Sequence, residues 1–388
     1  YVIHLQTQFT MLTKHEVRWC LATLWIASVV GVLPLEVDRK NGKIHESKSR
    51  LKKCGFKMQL GFGILHILYL AGTWLRMLIA PDGYKLIDMA IQPVVLLGAL
   101  ISLYNAVALL IYYPQGTVLV FNELYSGTDA PVKFRWLEYS IQEFFTILSF
   151  LSVYLAWSML FPLIVLDPTS PFFVGSICNL ESAWHAVFFG ALEILLIYFI
   201  GGPLTLSIFI QLSMFVQTSS VIRNQVSKLR DLENLTQDRL WSALQSCRRV
   251  NLNIVLYNQS FAYTHYLFKI SSITASVVCI FCGLEWLQSA PVHAFPIMVI
   301  GVEVMIVFVI MYDNAFGIPE AMESLKERIL MVSVLYEDSR KHGYTKRTVK
   351  AVSNSGVKVG SFSTFESTST PVFVDFVMKN VVNLLLAF

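Results

Sequence analysis

Apolar residues along the chain come in runs of about 20, set apart by blocks of charge, and not in the narrow stripes of a helix with one wet face. The runs fall at 58–80, 88–113, 141–165, 184–217, 263–286, 294–316 and 371–388. A helix of that length crosses a hydrocarbon layer of roughly 30 Å, so the pattern predicts an all-α membrane protein with seven transmembrane helices. The fourth run is too long for a single crossing and carries Gly201, Gly202 and Pro203, so its second half is expected to bend and continue beyond the membrane. The last run is short and holds Asp375, Lys379, Asn380 and Asn383, which are costly against lipid. An eighth stretch, 17–36, reads as a surface or re-entrant helix, because Gly31 and Pro34 break it and Trp19 and Trp25 suit the membrane interface.

Composition supports this reading. The 388 residues are 55% hydrophobic and only 14% charged, with a mean hydropathy of +0.58, whereas soluble domains carry roughly 25% charge. The position of the charges then gives each helix a direction, since Lys and Arg collect in cytosolic connections. Segments 38–57, 219–262 and 317–370 hold nearly all the basic residues between runs, and the alternate connections hold only Lys85. The N-terminus is therefore predicted to be cytosolic and the C-terminus external. The chain divides into an N-terminal cytosolic or interfacial segment (1–57), six spans with a helical cytosolic connection (58–316), a second cytosolic segment (317–370) and a last helix (371–388). It begins at Tyr1 with no initiator Met, so a preceding segment is expected. The net charge of +4 forms no aromatic-laced stripe and argues against a nucleic-acid partner.

No catalytic motif, phosphate loop or metal-ligand spacing is present, so neither an enzyme nor a cofactor is expected. Cys279 and Cys282 have the spacing of a redox motif but sit in an apolar run without a second pair, as small buried residues do. In 219–262, Leu229, Leu232, Leu240, Leu244 and Val250 recur at helical spacing, and their face seeks a partner either in its own chain or in another subunit.

Two acids stand out. Glu193 and Glu303 each lie about nine residues past the outer end of their runs, or roughly 13–14 Å deep at about 1.5 Å per residue. A bare carboxylate there is expensive, so they face a wet cavity, each other, or hydrogen-bonding neighbours. The outer halves of the middle runs also gather Tyr154, Trp157 and Phe161, then His185 and Phe188, then Trp286 and Met298. Most such side chains are packing or belt residues. An outward cavity lined by aromatics and a few polar groups would equally take a small molecule. In the last run Phe376, Asn380, Asn383 and Ala387 share one helical face. That face could line a pore, with Leu384 or Phe388 as an apolar constriction, or its amides could bind neighbouring helices.

The arrangement resembles the arthropod gustatory and odorant receptor superfamily of seven-span chemoreceptor channels. GVLPLEV at 31–37 before the first span, the inverted topology with long cytosolic helices, and KNVVNLLLAF after a GSF turn at 360–362 carry the likeness over nearly the whole chain. The gustatory branch closes on Thr-Tyr, five apolar residues and Gln-Phe, where this chain has Asn380, Val381, the run 382–386, Ala387 and Phe388, as a divergent member would. The resemblance implies a homo- or hetero-tetrameric, ligand-gated, non-selective cation channel in the plasma membrane of sensory neurons. Its last helix would line the pore, its cytosolic parts (with 317–370) would form an anchor domain, and an external tastant or odorant would open it. Two rivals are a G-protein-coupled receptor and a small-molecule transporter. The first would put 219–262 outside, where the sequons at Asn234 and Asn258 could carry glycan. The second calls for internal repeats, and the two halves show none.

Overall fold

The structure is a computed structural model, and it describes residues 14–38, 42–81, 84, 86–125, 171, 173–177, 183–230, 236–289, 291–336, 338–353, 356–361, 363–365 and 369–387. The expected third span, 141–165, lies outside the described residues.

The first helix, α1 (Lys14–Val29), has 16 described residues, about 24 Å at a rise of about 1.5 Å per residue. It ends in a Schellman cap: Val32 N–H donates to Ala27 O at 2.8 Å and Gly31 N–H to Ser28 O at 3.2 Å. Gly31 takes the left-handed φ of 83° that this cap requires. The chain then forms an antiparallel hairpin of β1 (Leu35–Asp38) and β2 (Lys43–Glu46), with Val37 opposite Ile44. Asn122 completes it like a short third strand, accepting from Ile44 N–H and donating to Ile44 O, both at 2.9 Å.

Ser49 caps α2 (Arg50–Ile79) by accepting from Lys52 N–H. α2 packs on α3 (Leu86–Val107) through Ile67, Leu70, Leu96 and Ala99, and the buried Gln92 donates to Leu70 O at 3.1 Å. α3 ends in a π-turn, Ala108–Tyr112. Pro114, which has no N–H to leave unpaired at a helix start, opens α4 (Pro114–Tyr125).

α5 (Ala183–Arg230) runs as one helix of 48 residues. The expected break at Gly201, Gly202 and Pro203 is absent as an interruption of the helix. Thr205 Oγ1 donates to Gly201 O at 3.0 Å, and every residue from 201 to 216 is buried. The length of this apolar run therefore reflects burial within the protein as well as a crossing. α6 (Gln237–Trp286), α7 (Pro291–Phe316), α8 (Ile318–Tyr336) and α9 (Ser339–Ala351) follow, α7 ending where Gly317 interrupts the helix. A two-residue-per-strand hairpin, β3 (Lys358–Val359) and β4 (Ser363–Thr364), leads to α10 (Ser369–Ala387). Six of the described helical stretches are long and apolar enough to cross a membrane. The protein is a multi-pass, all-α membrane protein with two small hairpins that the helical periods did not foretell.

The chain forms two compact units. The smaller one holds 211–266 and 311–371. In it Leu229, Leu240, Leu244 and Val250 are all buried, so the apolar face of 219–262 is covered by its own chain; Leu232 lies outside the described residues. Arg328 Nε donates to Leu229 O at 3.2 Å. An aromatic cluster centres on His265, whose Nδ1 pairs with Tyr312 Oη at 2.9 Å, and Phe365 stands on Tyr312 at 4.4 Å between ring centroids. The larger unit holds 14–210, 267–310 and 372–388, and with them the described candidate site residues.

Candidate ligand cavity and last helix

Within the larger unit, the turn 173–177 between the third and fourth apolar runs is held from two sides. From α2, Tyr69 Oη lies 3.0 Å from Pro171 O and 2.8 Å from Phe173 O. It also lies 2.7 Å from Ser176 Oγ. A phenol has one proton to give, so the two carbonyls share it and Ser176 donates into the phenol oxygen. From α5, the buried Glu193 accepts from Val174 N–H. The buried carboxylate thus accepts from a backbone amide, which offsets part of the cost of burying it. Glu303 is different: it is half-buried, and its Oε1 is buried without a hydrogen-bond partner among the described residues. No hydrogen bond joins the two acids among the described residues.

The turn delivers Phe173 into an apolar cluster with Ile91, Cys279, Phe281, Cys282 and Ile297, against which Trp286 and Leu384 also pack. α6 and α7 approach closely here because both carry glycine. A Cβ on Gly283 would stand 2.6 Å from Met298 Cβ, and one on Gly301 would stand 2.9 Å from Ile280 Cγ1. Met298 is therefore half-buried packing of the helix pair, and Cys279 and Cys282 fill the same seam. Trp286 also meets His293 edge-on at 6.5 Å. Phe188 is exposed and stands edge-to-face with Phe189 at 5.4 Å. His185 belongs to α5, but its side chain lies outside the described set, as do Tyr154, Trp157 and Phe161 entirely.

α10 is two-faced. Phe373, Val377 and Val381 are buried, with Phe373 stacked on Phe308 at 4.1 Å. Phe376, Asn383 and Ala387 are exposed and Asn380 is half-buried. Asn380 Nδ2 donates to Phe376 O at 2.8 Å, within its own helix. Leu384 sits on the packed edge, against the Phe173 cluster, and Phe388 lies outside the described residues. Lys379 and Asp375 neutralise each other at 2.7 Å, one turn apart, which lowers the cost of carrying them on a span.

Tyr69 and Phe173 were missed by the sequence reading. Tyr69 lies 102 residues from its first partner, and no local period or motif reports such a contact.

Long apolar helices and the buried seams between them define a helical membrane fold. Its likeness is specific: the structure of the insect olfactory receptor OR5 from Machilis hrabei in complex with eugenol matches with a TM-score of 0.70 and 12% identity, covering 96% of this chain and 99% of that one. A second structure of the same receptor matches with a TM-score of 0.66 at 12% identity, over 96% and 98% of the two chains. The chain has the all-α transmembrane fold of the insect olfactory receptors. No family model and no curated protein sequence matches it.

Proposed function

We propose that this protein is a chemosensory receptor, not an enzyme, working as a ligand-gated, non-selective cation channel in the plasma membrane of sensory neurons. The observation that carries this reading is the face of α10. Phe376, Asn383 and Ala387 are left uncovered while Phe373, Val377 and Val381 are packed, as expected if copies of the chain surround a common axis. Amides on that face partly replace ion hydration, and a homo- or hetero-tetramer completes the pore. The likeness to a receptor whose structure holds eugenol supports a small organic ligand, taken up from outside among Tyr154, Trp157, Phe161, His185, Trp286 and Glu303. The buried carboxylate oxygen of Glu303, without a partner among the described residues, favours a ligand with a hydroxyl, and so a gustatory-type member of the superfamily. The basic connections face the cytosol, where 219–262 and 317–370 form the anchor.

Patch-clamp recording from cells that express only this chain tests the reading. Sugars, bitter compounds and eugenol are applied with G-protein signalling blocked, and an evoked cation current is expected. A response that needs G proteins points to the receptor rival, and saturable uptake without current points to a transporter.

A further inference from the structure

We infer that Tyr69 and Glu193 are positioning residues: together they strap the outer turn 173–177 so that Phe173 forms a wall shared by the proposed ligand cavity and the last helix. The inference deepens the proposed function and rests on it. Four observations carry it. Tyr69 Oη reaches two carbonyls and a hydroxyl of the turn. Glu193 holds Val174 N–H from the opposite helix. Phe173, between these two ties, is 5% exposed. The cluster it enters touches Trp286, a cavity candidate, and Leu384 of α10.

A turn of five residues has little apolar area with which to stay closed, so its hydrogen bonds decide how often it opens. When Phe173 lifts, Ile91 of the same cluster becomes accessible and the cluster against which Leu384 packs is opened. Glu193 acts here as a hydrogen-bond acceptor, and its charge is incidental.

The test uses Ile91→Cys as a reporter in full-length chain carrying Cys178→Ser, Cys279→Ala and Cys282→Ala, with a membrane-impermeant maleimide applied to intact cells. Gln288→Cys, on the exposed connection before α7, serves as the reference. Tyr69→Phe and Glu193→Leu are expected to speed labelling at Ile91→Cys by roughly tenfold and leave Gln288→Cys unchanged. Glu193→Gln, whose amide oxygen still accepts from Val174, is expected to label as slowly as the parent. Ligand-free current is expected to rise several-fold in Tyr69→Phe. Unchanged labelling at Ile91→Cys, or fast labelling in Glu193→Gln, overturns the strap. Accelerated labelling with unaltered basal current overturns its link to the last helix. If Gln288→Cys is never labelled from outside, the orientation in the proposed function fails, and the inference with it. A chain that passes no current in any variant contradicts the channel reading and the coupling, while the labelling rates still decide the strap.

Discussion

Gly202 and Val32 occupy space that only a glycine permits: a Cβ added at 202 would overlap Cγ1 of Val32. The relationship follows from a cap. The Schellman turn that ends α1 fixes Val32 just after Gly31, and β-branching leaves Val32 little freedom to swing aside. Gly202→Ala is expected to cost about 1–3 kcal/mol, as overpacking does. Val32→Ala should recover part of that loss in the double variant, since the two sites share the clash. Thermal unfolding of the four proteins in detergent measures the cycle, and strictly additive losses would refute the contact.

Asn258 spends its amide on the hairpin before the last helix, donating to Gly356 O and accepting from Lys358 N–H, both at 2.9 Å. Gly360 N–H adds a bond to Ala262 O at 2.8 Å. Although Asn258 heads a sequon, it is buried in mid-helix with both amide atoms engaged, so no glycan is expected on it. Asn258→Ala should cost about 1–3 kcal/mol through unpaired backbone groups, and limited proteolysis should cut first near 356–365. Cleavage at the parent rate would show that the hairpin holds without the amide.

These two contacts mark the reach of sequence reasoning. The apolar runs located the long helices because membrane thickness imposes a length that a single window of residues reveals. Gly31 and Pro34 correctly ended α1. The hairpin after it was signalled by Asn41-Gly42, a pair suited to tight turns, yet strands of four residues vanish beside long helical runs. Gly202 was read as a helix breaker when its role is close approach. The two acids stood out in the sequence, but the partner of Glu193 lies in a loop 19 residues upstream, and Tyr69 in another helix. The candidate residues were visible as an unusual composition at one expected depth, and the contacts that Tyr69 and Glu193 make were not, because they are made across the fold.

Cys247 offers a test of the smaller unit. Burial pushes its thiol up from the ordinary 9.0, and the nearby Lys326 only partly offsets this. The thiol therefore stays protonated and inert at neutral pH. The folded state holds this proton more tightly than the unfolded chain, so the associated stability is complete below about pH 9 and falls as pH rises beyond it. In native protein at pH 7, iodoacetamide should modify the exposed Cys54 and reach Cys247 only after denaturation. Equal rates at both would contradict the burial.

The last helix gives the prediction closest to function. Asn383 is exposed on α10, whereas Asn380 is tied to Phe376 O, so Asn383 has the freer amide to offer a passing ion. Asn383→Asp would place one carboxylate per subunit around the proposed axis. A ring of acids attracts cations and favours divalent ones. Permeability to Ca²⁺ relative to Na⁺ is expected to rise several-fold, read from the shift in reversal potential, and Asn383→Ala should lower conductance without moving the potential. Asn380→Ala should have the smaller effect on conductance. Unaltered conductance and selectivity in all three variants would mean that this face meets lipid or a neighbouring helix, and that ions pass elsewhere.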